Sequence, residues 1–362
     1  MARDAARVWP CLLAVLLVAC GSGAQDVTAP FGGSDLQRLE GALASQAAKA
    51  SPANVFHVAS ALQILKSPAL KGSQAQLCDA VKLGLETRQA LVVSDALRAA
   101  GIAKCPVFHR DDHEQLMASA AVSGSLSMIH AGVSGLVSLV RDHGAKVPPE
   151  ESFDVNKIAV RVLEMVSNDG TFTDTVHGRQ GSLVSTGHAL EALEGLAALG
   201  GRSFQKGAVV VAVGELVELL ADHMVESAED ERSVESVSLV LRGLGRLGAA
   251  LQQPYNVGAE CAARMAAFAV SLKGTLRAAD AHHLLELLAA IAAGPAPQPL
   301  VVGVVSRVMA EKDTPGAAVQ MRVSDLSGEA VKGASISSAS LFRLGGGGPA
   351  GGQLVAEGLQ GA

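Results

Sequence analysis

The segments of this chain that could carry chemistry are short runs of acidic residues and histidines. Residues 111–115 read DDHEQ and resemble the aspartate-rich motif that holds a metal ion and a diphosphate, except that the fifth position is Gln115. Two adjacent carboxylates ahead of a histidine are more often the solvated start of a helix. We therefore interpret this segment as a helix start and not as a catalytic motif.

Asp222, Cys261 and His282 are residues of the types that bind zinc. Their separations match no short pair of ligands, whereas two zinc ligands usually come from one local element of the chain. His282 and His283 are adjacent, and adjacent side chains on a helix point about 100° apart, so the two cannot readily share a metal ion. The sequence also contains no G-x-S-x-G, phosphate-loop or H-E-x-x-H motif. We therefore expect no catalytic residue, no cofactor and no metal site.

The composition argues against two further kinds of binding surface. A net charge of −6, with no cluster of Lys and Arg, argues against nucleic acid, which needs a basic surface to displace counterions. Tyr255 and Trp9 are the single Tyr and the single Trp, so no aromatic platform for sugars or bases is expected. Hydrophobic residues make up 49% of the chain but aromatic residues only 3%, and there are 39 Gly. The core must therefore form by close approach of helices.

The N-terminus has the pattern of a secretory signal peptide, which we assign to residues 1–24. Two early arginines are followed by an apolar run over residues 8–20 and then by small residues that suit cleavage. Residues 17–20 (LVAC) also fit a bacterial lipoprotein box, in which Cys20 would be lipidated, and the sequence leaves this alternative open. After either cleavage, no stretch of about 20 apolar residues remains to anchor the chain in a membrane.

Cleavage after Ala24 would leave three cysteines, Cys78, Cys105 and Cys261. In an oxidising compartment two of them can pair and one is left over. Cys78 and Cys105 are the favoured pair, because each follows a predicted helix and the two are 27 positions apart. Closing a loop of that size would stabilise the fold by about 3–4 kcal/mol in the chain-entropy model. Cys261 lies in a predicted helix, where we expect a free and poorly reactive thiol.

The chain is organised around residues 168–201, which read as a turn, an entry loop and one amphipathic helix. The turn begins at residues 168–170 (NDG), because Gly accepts positive φ and the side chains of Asn and Asp bond their own backbone. Apolar residues from Leu183 onward recur at steps of three, four and seven, the spacing of one helix face. Gly200 and Gly201 end the predicted helix, because Gly adopts the left-handed cap at little cost.

Looser copies of this pattern recur at intervals of about 40 to 55 residues, the range of helical-pair repeats. One amphipathic hairpin cannot bury its own apolar face, so such units stack and share a core. We predict a mainly α fold of α/α helical-hairpin repeats, toroid-like or superhelical, over residues 25–293. The alternative is a helical bundle without repeats. The copies start near Val55, Leu91, Ile129, Ser236 and His282.

Residues 35–293 are predicted to be almost wholly helical, in antiparallel pairs. The first helix is expected from about Asp35 with Ser34 as its N-cap, and residues 148–152 form a linker with two prolines. Further helices are predicted over residues 154–167, 209–221, 236–252 and 259–293, with a charged, solvated loop at 226–233.

The character of the chain changes after residue 293, where three prolines in five positions cannot continue a helix. Residues 300–305 and 319–323 are rich in β-branched residues and are predicted to be strands. We predict the start of a β-sandwich over residues 294–344, too short to close, and a Gly-rich low-complexity tail over 345–362. We therefore expect a chain that has been cut short.

These features together resemble the ribophorin II family. A signal peptide is followed directly by a helical domain. Helical segments at 54–65 and 91–100 precede Cys78 and Cys105 in the order and near-spacing of that family's luminal cysteine pair.

Two further features extend the resemblance over residues 35–340. The Asp169–Gly170 turn that leads to residues 186–190 (TGHAL) looks like the central helical repeat of the family. The Pro-rich joint then leads to a β-sandwich opening. Family members continue through a complete β domain to C-terminal transmembrane helices, which this chain lacks, and that departure bears on how it would be anchored.

The resemblance implies a non-catalytic, structural subunit of the oligosaccharyltransferase complex. That complex transfers an oligosaccharide en bloc to Asn of nascent proteins at the luminal side of the endoplasmic reticulum membrane. The implied partners are the other subunits, including the catalytic one. Association with the membrane would occur through the complex or through a C-terminal region absent from this chain.

Two other functions stay open from the sequence. The helical repeats and DG turns invite comparison with an α/α-toroid enzyme of isoprenoid or glycan chemistry. A bacterial lipoprotein that binds a partner through helical repeats is the other alternative, and it depends on lipidation of Cys20.

Overall fold

A computed structural model of the chain describes residues 16–18, 33–228, 233–272, 280–293, 299–304, 321–324, 341–344 and 352–356. They belong to two compact units. One unit is Asp26–Ala296 and contains the helices. The other combines Met1–Gln25 with Pro297–Ala362 and contains the strands.

The first unit is a succession of α-helices, which confirms the prediction of a mainly helical fold. A 3₁₀ turn at Gly201–Ser203 follows the ninth helix. In the part of the chain that the structure describes, no helix is both long and apolar enough to cross a membrane. The helices are α1 (Gly33–Ala47), α2 (Val55–Ile64), α3 (Ala69–Gly72), α4 (Gln74–Glu86), α5 (Ala90–Ala103), α6 (Arg110–Ala121), α7 (Leu126–His143), α8 (Val155–Leu163), α9 (Leu183–Gly200), α10 (Lys206–Glu226), α11 (Val234–Leu251), α12 (Ala259–Leu272) and α13 (Ala281–Ala293).

The helix ends follow local chemistry at several places. The Asp154 carboxylate accepts hydrogen bonds from the backbone N–H groups of Asn156 and Lys157, both at 3.0 Å, and so caps α8. The Ser182 hydroxyl caps α9 by accepting from the N–H of Ser185 at 3.0 Å. The predicted cap Ser34 is wrong by position, because α1 already begins at Gly33 and Ser34 lies within its first turn. Serine costs little inside a helix, so sequence patterns place such ends only to within one or two residues.

Six helices contact one another in a cyclic order: α2, α5, α7, α9, α11 and α13, with α13 returning to α2. Each of them also contacts the helix that precedes it in a pair: α1 with α2, α4 with α5, α6 with α7, α8 with α9, α10 with α11 and α12 with α13. Because α7, α8 and α11 all pack on α9, that helix is buried around most of its circumference and not on one stripe alone.

Glycines let the cyclic helices approach closely, as the shortage of aromatic residues requires. A Cβ placed on Gly243 in α11 would lie 2.7 Å from the Cβ of Leu190 in α9. Gly187 in α9 faces Leu239 in α11 in the same way. In this contact each helix therefore places a leucine side chain against a glycine of the other helix.

We expect Gly243→Ala to lower the free energy of unfolding by about 1–3 kcal/mol, because the added methyl overpacks the contact with Leu190. Gly245→Ala on the same helix is the matched control, since nothing lies within 4 Å of its Cβ position. Alanine favours helix, so the control should gain up to about 1 kcal/mol. Urea unfolding followed by circular dichroism measures both, and a Gly243→Ala variant as stable as Gly245→Ala would contradict the close contact.

The second unit has short antiparallel strands: β1 (Leu16–Val18), β2 (Pro299–Val304), β3 (Met321–Ser324), β4 (Leu341–Leu344) and β5 (Gly352–Ala356). The first sheet has the order β1-β2-β3, and β4 pairs with β5 separately. The predicted β-sandwich stays a prediction. The predicted signal peptide lies outside the described residues except for 16–18, as do most of the Pro-rich joint and the Gly-rich tail.

Candidate functional site

The structure joins Cys78 and Cys105 in a disulfide, with their Cα atoms 5.3 Å apart. Cys105 follows Lys104, the left-handed C-cap of α5, as expected for a cysteine after a helix. Cys78 does not follow a helix but lies inside α4, which begins at Gln74. A residue near the start of α4 reaches the end of α5 because the two helices pack against each other. The bridge therefore fastens the two helices of one pair.

The acidic segment 111–115 forms the beginning of α6, and Asp111 and Asp112 are exposed there. This agrees with its interpretation as a solvated helix start. Two surface cavities flank the helix, one of about 920 Å³ next to the disulfide and one of about 420 Å³ beside the linker at Pro148 and Pro149. Burial is the main cause that lowers the pKa of His113, which lines the larger cavity.

The three residues of zinc-binding type are not brought together. Cys261 is a free, buried cysteine whose Sγ lies 3.7 Å from the carbonyl oxygen of Ala221. Burial, and next the nearby Asp222 carboxylate, raise the pKa of the Cys261 thiol to about 11. His282 instead packs against the rings of Phe56 and His57, at centroid distances of 5.4 and 4.9 Å. Among the residues that the structure describes, no group of three His, Cys, Asp or Glu side chains could hold a metal ion.

A buried charged cluster that the sequence did not predict lies between the cyclic helices. Arg242 in α11 pairs through Nη2 with Glu191 in α9, and through Nη1 with Glu286 in α13 at 3.4 Å. These three residues are 5–6% exposed. His130 in α7 lies 2.9 Å from the other Glu191 oxygen, and Ser60 in α2 donates to Glu286 at 3.4 Å. The cluster therefore connects five of the six cyclic helices.

Electrostatics keep Glu191 and Arg242 ionised in spite of their burial. Burial alone would raise the pKa of Glu191, but the Arg242 charge and the hydrogen bond from His130 outweigh it and hold that pKa well below its usual range. Burial likewise opposes the charge of Arg242, yet Glu191 and Glu286 raise its pKa. A buried guanidinium between two carboxylates is thus compensated, and it holds α9, α11 and α13 in one arrangement.

Neutral histidines surround the charged cluster. The rings of His57, His282 and His283 lie 4.9–5.5 Å apart. Burial is the main cause that lowers the pKa of each, in the case of His283 to about 3. His188 stacks on His130 at 4.4 Å, and burial is again the main cause that lowers its pKa, to about 4. The rings of His57, His188, His282 and His283 pack as uncharged groups around the ion pairs.

One signal in the sequence could have indicated the cluster. Arg242 and Glu286 each stand as a single charge within an apolar helical run, LVLRGLG and LLELL, and Glu191 is the first of two Glu in LEALEGL. A charge at such a position points into the core, where it needs a partner of opposite sign. Which residue supplies that partner is not visible in the sequence.

A comparison with known families bears on the helical unit as a whole. The family description "Ribophorin II N-terminal domain" matches residues 31–292. This range includes every helix from α1 to the last turn of α13. The chain belongs to the ribophorin II family. No curated protein and no solved structure matches it.

The turn that carried the ribophorin II resemblance lies in the loop that connects α8 to α9. The Asp169 carboxylate accepts hydrogen bonds from the N–H of Thr171 at 3.0 Å and from its hydroxyl at 2.7 Å, and Gly170 has φ of +83°. Phe172 is fully buried, forms isolated bridges to Val166 and Ser182, and donates its N–H to the Thr186 hydroxyl of α9.

Asp174 in the same loop caps α7 from outside that helix. Its carboxylate accepts from the N–H of Ser127 at 2.9 Å and from the hydroxyl of Ser125 at 2.8 Å. Its backbone carbonyl accepts from the N–H of Leu126 at 2.7 Å. The carboxylate supplies the oxygen that Ser125, the residue at the N-cap position, does not supply.

Asp174→Ala should lower the free energy of unfolding by about 1 kcal/mol, the usual cost of a lost N-cap. Asp174→Asn keeps one acceptor oxygen and should lose less. Urea unfolding measures the difference. Equal stability of the Ala variant and the wild type would mean that the cap seen at α7 contributes nothing.

Proposed function

We propose that this chain is a structural subunit of the oligosaccharyltransferase complex that supports N-linked glycosylation of proteins on the luminal side of the endoplasmic reticulum membrane. Membership in the ribophorin II family carries the proposal. The partners are the other subunits of the complex, including the catalytic one. Association with the membrane occurs through the complex or through a C-terminal region that this sequence does not include.

The subunit has no catalytic role in this proposal. The buried charges that could do chemistry are engaged with one another: Arg242 faces both Glu191 and Glu286, and His130 contacts Glu191. The acidic segment at the start of α6 is open to solvent, and no sequence motif of an activated nucleophile accompanies it. These observations support a protein that keeps a fixed shape and is bound by other subunits.

The fold proposed for residues 25–293 is an α/α toroid of six helix pairs. Its support is the cyclic contact order of α2, α5, α7, α9, α11 and α13 and the pairing of each with its preceding helix. Residues 294–344 are proposed as the opening of a β-sandwich, 345–362 as a Gly-rich tail, and 1–24 as a cleaved signal peptide.

Expression of the tagged chain in cells depleted of their own ribophorin II tests this function. We expect it to co-purify with the catalytic subunit and to raise glycosylation of a reporter that contains one Asn-x-Thr acceptor site. A matched reporter with Gln in place of that Asn controls for changes in mobility. Failure to co-purify, together with unchanged glycosylation, would overturn the proposal.

The mass of the mature N-terminus distinguishes a cleaved signal peptide from a bacterial lipoprotein box. Cleavage by signal peptidase after Ala24 predicts a chain that starts at Gln25. A diacylglyceryl group on Cys20 would identify a bacterial lipoprotein instead and would contradict the luminal location.

A further inference from the structure

A groove runs between α4 and α6 on the surface of the helical unit, and we name it the α4–α6 groove. Its larger part is the cavity of about 920 Å³, a volume within the range of ligand sites. The smaller cavity, on the other side of α6, shares Gln115 and Ser119 with it. The groove therefore continues across the exposed face of α6, a helix about 18 Å long at 1.5 Å per residue.

The lining of the groove includes several apolar residues, one of which has an exposed aromatic ring. Leu85, Pro106, Phe108 and Leu116 line it. Phe108 is 67% exposed, the most exposed of the large hydrophobic residues among those that the structure describes. Phe108 is a large apolar group exposed next to other apolar residues of the cavity. Covering such a surface with a partner lowers the free energy.

The rim of the groove carries an excess of negative charge. Across the two cavities, carboxylates outnumber Lys and Arg, because Lys82 and Arg88 are the basic residues that line them. The lowered pKa of His113 leaves its ring neutral at pH 7, so it does not offset the carboxylates. The acidic lining residues are Asp79, Glu86, Asp111, Asp112 and Glu114.

The walls of the groove are held in place before any ligand binds. The disulfide ties Cys78 in one wall to Cys105, which leads directly into Pro106 and Phe108. Gln74 donates from Nε2 to the carbonyl oxygen of Ala103 at 2.9 Å and fixes the same junction. A site whose walls are already ordered loses less conformational entropy on binding.

Three non-glycine residues with positive φ lie at or next to the groove, while Lys66 and Gln252 have positive φ elsewhere in the described chain. Arg88, Lys104 and His109 all have positive φ, at 56°, 58° and 53°, although none of them is Gly. Arg88 and His109 line the cavity, and Lys104 precedes the disulfide. Residues held in the left-handed region cluster at ligand-binding sites more often than elsewhere, so the strain agrees with a built site.

We propose that the α4–α6 groove binds an extended peptide segment of a partner protein, in which a basic side chain stands next to a large aliphatic or aromatic one. The apolar side chain covers Phe108 and its neighbours, and the basic side chain meets the carboxylates of the rim. A helix with its side chains is about 10–12 Å across, so at about 3.3 Å per residue a segment of three or four residues spans α6 between the two cavities. This binding goes beyond membership in the glycosyltransferase complex and does not depend on it.

Direct binding of synthetic peptides to the full chain tests the proposal. The probe is a fluorescein-labelled octapeptide in which Lys and Leu recur between Ala residues, and its partner carries Glu in place of each Lys. A third peptide keeps Lys and replaces each Leu by Ser. We expect the Lys/Leu peptide to bind at least about tenfold more tightly than either of the others in fluorescence anisotropy, and added salt to weaken it.

Variants of the groove locate the binding. Phe108→Ser and Asp112→Lys should each weaken binding of the Lys/Leu peptide by about tenfold, because one removes apolar contact and the other reverses a rim charge. Val211→Ser and Glu215→Lys make the same kinds of change on the exposed face of α10 and should leave binding unchanged. Circular dichroism confirms that each variant is folded.

Three outcomes would overturn the proposal. They are no binding of the Lys/Leu peptide at millimolar concentration, equal binding of the Glu/Leu peptide, or loss of binding in the α10 variants but not in the groove variants. None of these results would change whether the chain co-purifies with the complex, so the two proposals fail separately.

Discussion

Replacing Arg242 by Met should lower the free energy of unfolding by about 3–5 kcal/mol, the cost of removing one partner from a buried ion pair. The substitution leaves Glu191 and Glu286 buried, each at 5–6% exposure, without the guanidinium that compensates both. Met keeps an unbranched chain similar to the aliphatic stem of Arg but lacks the guanidinium, so the loss reflects charge more than packing of the stem. Urea unfolding followed by circular dichroism measures it.

Arg246→Met is the matched control for this substitution. Arg246 lies one turn further along α11 and also contacts Glu286, at 3.5 Å, but its side chain is 48% exposed. A half-exposed ion pair contributes at most about 1 kcal/mol. Equal losses for the Arg242 and Arg246 variants would contradict the view that burial makes Arg242 indispensable.

The pH dependence of the Arg242→Met variant should have the opposite sign to that of the wild type. In the wild type the pKa of Glu191 is held well below its usual range, so its contribution to stability is complete above the unfolded-state pKa of about 4.3 and is lost as the pH falls through the folded-state value. Without Arg242, only His130 and Arg98 oppose burial, which is the largest influence on the pKa of Glu191, so we expect that pKa to rise. Stability of the variant should then increase as the pH falls from 7 towards 4.

Removing the disulfide is the second change with a large expected effect. Cys78→Ser combined with Cys105→Ser should lower the free energy of unfolding by about 3.5 kcal/mol, the chain-entropy value for a loop that spans a separation of 27 residues. The bridge connects the start of α4 to the end of α5, and in the reduced unfolded chain that loop is free. Reduction of the wild type with dithiothreitol should have the same effect.

Cys261→Ala is the control, because it removes a cysteine and leaves the Cys78–Cys105 bridge in place. Cys261 is free and buried, and its raised pKa makes it a poor nucleophile, so this variant should respond to dithiothreitol as the wild type does. Non-reducing peptide mapping should recover one bridged pair, Cys78 with Cys105. Recovery of Cys105 joined to Cys261, or a wild type that dithiothreitol does not destabilise, would contradict the bridge.

Local features of the chain were predictable from the sequence because they depend on residues close together. The Gly200–Gly201 end of α9, the Pro-containing linker before α8 and the apolar run that becomes α13 follow from backbone preferences and from the period of one helix. The solvated start of α6 at Asp111 follows from the same reasoning.

The partners of buried charges and rings depend instead on which helices become neighbours. His282 was considered with Asp222 and Cys261 as a zinc site, but α13 returns to α2 and places it against His57. The sequence predicts that Cys78 follows a helix, but it lies within α4. The bridge forms all the same, because a disulfide needs only that two Cα atoms approach to within about 7 Å.

The mainly helical character of the chain, the positions of most helices and the residue types that must be buried all follow from local patterns in the sequence. The position of Arg242 between Glu191 and Glu286, and the capping by Asp174 of a helix it does not belong to, depend on how the helices pack. Helix period is a property of neighbours along the chain, whereas the compensation of a buried charge is a property of neighbours in space. The second follows from the packing of all six cyclic helices at once, and no local pattern records it.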